Sequence, residues 1–217
     1  MQFKKLAAAA LFSLAASAHA GLIDTTTSYV GTVGFFGEPN TATYGQTFSL
    51  AGKQTLNSFS MFLTGEVPGP VHFKAYLYEW SGDRAQGPAL FTSAAQSFTG
   101  SGPGASKEFA FNTGGVNLKD GKSYVAFLSA SGLFDGVASS AKMPSTYASV
   151  LDSGNFVYIN NGNNTGAWTN SQWIPMANRD LWFKASYEST AAVPLPASLP
   201  LLGMGLLALG FARRRKA

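Results

Sequence analysis

The 217-residue chain contains no cysteine, which excludes disulfides, cysteine-ligated metals and a cysteine nucleophile. It has only two histidines, and His19 lies in an N-terminal segment discussed below, so a histidine-rich metal site is excluded as well. We therefore expect no cofactor and no metal site built on these residues. One alternative stays open, namely a structural Ca²⁺ ion held by oxygen atoms from distant loops.

Charge is also scarce, since charged residues make up 12% of the chain against roughly 25% in average soluble domains. Six of the 15 cations lie at the two ends: Lys4, Lys5, Arg213, Arg214, Arg215 and Lys216. Residues 21–190 keep nine cations against 11 acids, so their net charge is −2 although the whole chain carries +4. This region lacks the basic patch that nucleic-acid binding requires, and we expect no nucleic-acid partner.

Residues 1–20 have the three parts of a secretory signal peptide. Two lysines form the positive start, residues 6–16 form the apolar stretch, and Ala18 and Ala20 form the small-x-small cleavage site. Signal peptidase is then the expected partner, and Gly21 begins the mature chain. The alternative is an uncleaved membrane anchor, but the apolar stretch is short beside the roughly 20 residues that a span needs.

A second apolar unit occupies residues 191–217. It begins with a proline-rich pentapeptide: Val193, Pro194, Leu195, Pro196 and Ala197. An uncharged run continues to Ala212 and is long enough to span a bilayer, and the basic cluster that follows is expected to stay at the cytoplasmic face. Because proline disfavours helix in the residue before it, we expect the pentapeptide to be extended and open to a protease or transpeptidase. The alternative is an ordinary C-terminal anchor helix.

The pentapeptide, the apolar span and the terminal arginine cluster together resemble the PEP-CTERM sorting signal. Leu195 stands where the commonest form of that signal has Glu, which matches its Val-Pro-Leu-Pro-Ala variant. The resemblance implies recognition by exosortase, an inner-membrane cysteine transpeptidase, followed by removal of the tail. It also implies export across the inner membrane, transient anchoring through the C-terminal helix, and then a place at the cell surface or outside the cell, often among exopolysaccharide.

The pattern of strands and turns in residues 21–190 predicts a single antiparallel β-sandwich that is jelly-roll-like. Stretches of alternating polarity are separated by Gly, Pro, Asn and Asp, and no apolar spacing of helical period extends over three turns. About eight strands are predicted: residues 44–48, 56–63, 71–80, 90–98, 108–111, 123–129, 156–159 and 180–187. Asp120-Gly121 predicts a hairpin turn, because glycine accepts a positive φ.

This region also resembles the jelly-roll-like ectodomains that often precede the sorting signal, whose activity is mostly unknown. The residues that carry the resemblance are 43–48, 75–80 and 124–128. The resemblance supports the fold and implies no activity.

The strongest binding candidate is the aromatic face of the predicted strand 71–80. Tyr76, Tyr78 and Trp80 would project from one face about 6–7 Å apart, where their rings could stack on a sugar polymer. The alternative is that this face packs beneath a loop or against the second sheet. Trp182 is a further glycan-binding candidate, and the asparagine-rich loop before Trp168 is either a set of glycan contacts or an Asn-Gly turn.

Catalysis has little support in the sequence. Glycoside hydrolysis needs two carboxylates across one bond, and Glu79 with Asp83 is the only close acid pair at a predicted strand end. His72, alone on its strand, is more often a surface residue than a general base. We therefore expect a non-enzymatic surface or matrix protein that interacts with extracellular polysaccharide. The alternatives are a glycan hydrolase of the same fold and a purely structural protein held by its C-terminal anchor.

Overall fold

The part of the chain that the structure describes forms thirteen β-strands and one short helix. The structure is a computed structural model, and it describes residues 20–39, 41–147 and 150–189. The predicted signal peptide up to position 19, with Ala18, lies outside these residues. So do the pentapeptide Val193–Ala197, the expected membrane helix and the basic cluster Arg213–Lys216.

The elements follow one another as follows: β1 Ala20–Asp24, β2 Gly31–Gly37, β3 Thr43–Ser49, β4 Gln54–Thr64, β5 Val71–Ser81, β6 Arg84–Thr92, β7 Gln96–Phe98, β8 Ser106–Leu118, β9 Ser123–Ser129, β10 Ser140–Ser145, β11 Phe156–Ile159, α1 Ala167–Asn170, β12 Ile174–Met176 and β13 Phe183–Ser189.

The strands form two antiparallel sheets, and the predicted sandwich is confirmed. The first sheet has the order β1-β13-β4-β10-β2, with β8 also paired to β4. The second has the order β12-β11-β3-β9-β5-β6, with β7 also paired to β5. Aromatic rings from the two sheets meet in the core between them: the centroids of Phe48 and Phe183 are 5.5 Å apart, and those of Phe73 and Phe109 are 4.9 Å apart. This shared core holds the two layers together.

The turn at Asp120-Gly121 exists, but it does not make a hairpin. Gly121 has a φ of +67°, and the turn joins β8 to β9 as its sequence predicts. However, β8 pairs with β4, whereas β9 pairs with β3 and β5, so the turn carries the chain from one sheet to the other. The hairpin prediction is therefore wrong, because turn chemistry sets the chain reversal but not the partner of each strand.

The sequence pattern does not predict four of the strands, namely β1, β2, β10 and β12. Three glycines interrupt the alternation in β2, and Pro144 interrupts it in β10. Both strands lie toward one edge of the first sheet, where missing side chains and a missing N–H are tolerated.

The first and last described strands are neighbours at the other edge of that sheet. Ala20 lies opposite Glu188, and Gly21 lies opposite Tyr187. A Cβ atom on Gly21 would lie 2.3 Å from the Tyr187 ring, so glycine lets the ring pack over this strand. The peptide bond between Ala20 and Gly21, where the leader is expected to be cut, therefore lies inside a paired strand. We expect cleavage to precede the pairing of β1 with β13.

Candidate functional site

The aromatic row on β5 is covered by a loop, so the structure selects the second alternative for Tyr76 and Tyr78. Each has only 9% of its surface exposed. The Trp168 ring lies 4.6 Å from that of Tyr76, and the Phe127 ring stacks against both tyrosines. Trp80 remains half-buried, with its ring edge-on to that of Trp173. Tyr76 and Tyr78 thus belong to a second apolar cluster on the outer face of the second sheet, and they present no open row to a ligand.

Polar side chains anchor the covering loop to the sheet. Asn161 donates through Nδ2 to Ser131 Oγ at 2.7 Å, and Ser131 Oγ donates to the Gly162 carbonyl at 2.6 Å. Trp168 Nε1 donates to Thr43 Oγ1 at 3.1 Å. The polar groups of Asn161 and Trp168 thus make hydrogen bonds within the protein that hold the loop in place. This agrees with the Asn-Gly turn rather than with a set of glycan contacts.

Replacing Trp168 by alanine tests this cover. We expect the free energy of unfolding to fall by about 3 kcal/mol, the usual loss when a buried aromatic is truncated. Burial raises the pKa of Tyr76 and of Tyr78, so uncovering them should move both pKa values back toward the ordinary value. Urea denaturation and spectrophotometric tyrosine titration measure the two effects. Trp182→Ala is the matched control, and a tyrosine titration unchanged in Trp168→Ala would contradict the cover.

Trp182 lies on the outer face of the first sheet and is half-buried. Its Nε1 donates to the Ser28 carbonyl at 2.9 Å, and its ring meets Phe62 and Tyr29 edge-on. Tyr29 is 59% exposed, so this corner does present an aromatic surface. Glycan binding at Trp182 stays a prediction.

A larger concave surface lies between the edge strand β2 of the first sheet and strands β3 and β11 of the second. It is a groove of about 430 Å³. Its lining residues come from both sheets and from the loops that follow them: Thr32, Val33, Gly34, Thr41, Tyr44, Phe156, Tyr158, Asn160, Met176 and Arg179. We call this surface the β2–β11 groove. Its lining contains no carboxylate.

Aromatic rings form the floor of the groove. The half-exposed Tyr158 ring stacks on Phe156 with centroids 5.8 Å apart, and it meets Tyr44 edge-on at 5.9 Å. Burial raises the pKa of Tyr44 to about 12, although a hydrogen bond with Thr41 acts in the opposite direction. The Tyr44 hydroxyl therefore stays protonated at physiological pH. The floor is uncharged and offers Tyr158 as a partly open ring face.

Arg179 is the one cationic residue in the lining of the groove. Its guanidinium lies over the Tyr147 ring, 4.0 Å from the centroid. The backbone beside it is held by the Arg179 carbonyl, which accepts from the Phe156 N–H at 2.7 Å, and by the buried side chain of Asp180. A stacked guanidinium, the exposed Asn160 amide and the Thr32 hydroxyl surround the aromatic floor. This combination of a ring face with convergent polar groups is what small polar ligands such as sugars require.

Sequence reasoning missed the β2–β11 groove. Strand residues two apart point the same way, so Tyr158 lies on the same face as Phe156. This spacing was the one feature of the sequence that could have indicated an aromatic pair in the groove. Thr32 lies on an unpredicted strand, and Arg179 lies on a segment whose position depends on contacts between the sheets. No spacing in the sequence links these residues.

The structure gives His72 partners that the sequence does not suggest. Pairing of β5 with β7 places Ser97 directly opposite His72, with Ser97 Oγ 2.7 Å from Nδ1. Asp135 Oδ2 lies 3.5 Å from Nε2. The three residue types of a Ser-His-Asp relay therefore meet at the surface. The adjoining cavity is only about 10 Å³, which is room for one water molecule and not for a substrate.

Glu79 and Asp83 are both engaged in ion pairs. A hydrogen bond from Lys119 at 2.8 Å lowers the pKa of Glu79, and one from Arg84 at 2.8 Å lowers the pKa of Asp83. A general acid needs the opposite shift, a raised pKa.

Within residues 20–39, 41–147 and 150–189, no three His, Asp or Glu side chains are grouped to hold a metal ion. In the same ranges, no helix has the length and apolar character to cross a membrane.

Comparisons with known structures bear on the fold. The chain is similar to the clostridial cysteine protease Cwp84 after propeptide cleavage, with a TM-score of 0.50, 11% identity, and coverage of 79% of this chain and 40% of that one. A second structure contains the cysteine protease and lectin-like domains of Cwp84, a surface layer associated protein of Clostridium difficile. Its TM-score is 0.46 at 11% identity, with 70% and 32% of the two chains covered. The chain thus spans less than half of either neighbour, and at 11% identity the first likeness shows the fold alone.

Comparisons at the level of sequence concern the end of the chain. No curated protein matches the sequence. Residues 192–216 match the family model described as the PEP-CTERM protein-sorting motif, which confirms the resemblance of the pentapeptide, span and basic cluster. The chain therefore combines a β-sandwich domain with a C-terminal PEP-CTERM protein-sorting motif, which supports export and sorting by an exosortase.

Proposed function

We propose that the protein is a non-catalytic component of the cell surface or extracellular matrix whose β-sandwich binds extracellular polysaccharide in the β2–β11 groove. The observation that carries the proposal is the lining of this groove, where the Tyr158 ring face is combined with amide and hydroxyl groups and no carboxylate is present. Aromatic faces and fixed polar groups are the means by which proteins hold sugars, whereas hydrolysis needs paired acids.

Processing at the two ends delivers the domain to its place of action in this proposal. Signal peptidase cuts after Ala20, and exosortase acts at the pentapeptide Val193–Ala197 while the basic cluster holds the tail at the cytoplasmic face. The sorting motif at residues 192–216 supports the second step. The order of events places the folded sandwich outside the inner membrane before the tail is removed.

The test is polysaccharide binding by residues 21–190, which contain both sheets and their shared core. We expect Tyr158→Ala to weaken binding to the native exopolymer about tenfold, since stacking on one ring contributes on the order of 1.4 kcal/mol. Affinity electrophoresis in gels containing the polymer measures the change. Tyr29→Ala removes an equally aromatic, exposed side chain beside Trp182 and serves as the matched control. If Tyr29→Ala weakens binding and Tyr158→Ala does not, the site lies at Trp182 instead.

A hydrolase is the second candidate, and the Ser97–His72–Asp135 contact is the observation that favours it. It predicts release of reducing ends or acyl groups from the polymer, abolished by Ser97→Ala. The purely structural alternative draws support from the burial of Tyr76 and Tyr78. It predicts that no polymer binds the domain at all.

A further inference from the structure

We propose that the β2–β11 groove selects an anionic saccharide, whose carboxylate or sulfate group pairs with the guanidinium of Arg179. This inference rests on the proposed binding of polysaccharide and specifies the chemical class of the sugar. Guanidinium groups present planar, paired N–H donors that match the two oxygens of a carboxylate or sulfate.

The first argument is that Arg179 lacks a counter-ion. Among residues 20–39, 41–147 and 150–189, no ion pair or side-chain hydrogen bond involves its guanidinium, and its one close partner is the Tyr147 ring. Three of the eight other cations in the described residues form ion pairs: Lys119 with Glu79, Lys184 with Glu108, and Arg84 with Asp83. The paired N–H donors of an arginine that lines a groove without a carboxylate are suited to a ligand anion.

The second argument is that nothing else in the groove opposes an anion. The lining has no carboxylate, and the Tyr44 hydroxyl is held protonated by its surroundings. Thr32 and Asn160 add neutral hydrogen-bonding groups beside the cation. The Tyr147 ring limits the positions of the guanidinium, which reduces the entropy lost when it binds.

The third argument concerns specificity. Residues 21–190 carry nine cations against 11 acids, so the domain as a whole does not attract polyanions. Binding of an anionic sugar must therefore come from a local contact, and the groove supplies one at Arg179.

The experiment compares four polymers on residues 21–190: polygalacturonate, its methyl ester, dextran sulfate and neutral dextran. We expect Arg179→Gln to weaken binding of an anionic polymer about tenfold or more and to leave binding of its neutral counterpart unchanged. Lys122→Gln removes one exposed cation from the turn before β9 and is the matched control, which should bind as the parent does. Arg179→Lys keeps the charge but not the paired donors, and we expect it to recover only part of the affinity.

The outcomes separate this inference from the proposed function. Preference for polygalacturonate over its ester identifies a carboxylate, and preference for dextran sulfate identifies a sulfate. Either preference supports the inference if Arg179→Gln removes it. Equal binding of charged and neutral polymers, or equal losses in Arg179→Gln and Lys122→Gln, would overturn the inference and leave the proposed function standing. Binding of none of these polymers and of no native exopolymer would overturn both.

Discussion

Replacing Pro194 and Pro196 by alanine is expected to stop exosortase processing while the β-sandwich still folds. The two prolines lie in the motif that matches the PEP-CTERM model, and proline disfavours helix in the residue before it. We therefore expect alanine at both positions to favour helix there and to make the pentapeptide a poor substrate for the transpeptidase. The described sheets end at Ser189, so their hydrogen bonds and core are not affected by the change.

Mass spectrometry of the surface and membrane fractions measures this effect. We expect the parent protein at the surface to end near Ala197 and to lack Arg213 to Lys216, and the double variant to keep its tail and stay in the membrane fraction. Pro200→Ala changes a proline of the same segment outside the pentapeptide and is the matched control. Recovery of the intact tail from the surface fraction of the parent protein would reject processing at this motif.

Replacing Asp180 by alanine is expected to lower the free energy of unfolding by about 3 kcal/mol, because three donors lose a charged, buried acceptor. Asp180 is fully buried. Its Oδ1 accepts from Gln46 Nε2 at 2.8 Å, and its Oδ2 accepts from the backbone N–H groups of Val150 and Leu151 at 2.7 and 2.9 Å. Gln46 Oε1 in turn accepts from the Leu181 N–H at 2.9 Å. One carboxylate thus connects β3, the segment that begins at position 150, and the approach to β13.

The contribution of Asp180 to the stability of the fold depends on pH, and the direction of this dependence follows from its pKa. Burial raises the pKa of Asp180 above its ordinary value of 3.8, although its three hydrogen bonds act to lower it. The folded state therefore binds the proton more tightly than the unfolded state does. This contribution to stability is fully present below pH 3.8 and is lost as the pH rises through the folded-state pKa.

Asp180→Asn separates the two effects. The amide keeps one acceptor and the size of the side chain, so we expect a smaller loss of stability than in Asp180→Ala. It cannot titrate, so the parent protein should gain stability relative to Asp180→Asn as the pH falls. Urea denaturation across the acidic range measures both variants against the parent. A loss below about 1 kcal/mol in Asp180→Ala would show that this network does not stabilise the fold.

The sequence predicts several strands closely because they are rich in β-branched and aromatic residues and are bounded by turn residues. The strands 123–129 and 156–159 are predicted with the bounds that the structure shows, and 71–80 falls one residue short of β5. In each, one side of the strand contributes to the core between the sheets. The other side of these strands also carries apolar residues, such as Phe127 and Val157, and the sequence alone could not say what covers Tyr76 and Tyr78.

The β2–β11 groove shows where prediction from local pattern fails. Thr32, Tyr158 and Arg179 are far apart in sequence and meet because one sheet presents β2 at its edge beside β11 of the other. The contact of His72 with Ser97 likewise depends on the register of β5 with β7. Pairing and register are long-range properties, and a single sequence carries no direct signal for them.

The sequence by itself determined the class of fold and the presence of a sorting motif, because strand-forming segments and the three-part C-terminal motif are local patterns that need no tertiary contact. Only the tertiary structure decided which aromatic surfaces are open. Loop 160–173 buries Tyr76 and Tyr78 with Trp168, and the packing of two sheets leaves Tyr158 and Arg179 facing a groove. Exposure of a side chain depends on what the rest of the chain places over it, and that is settled by packing.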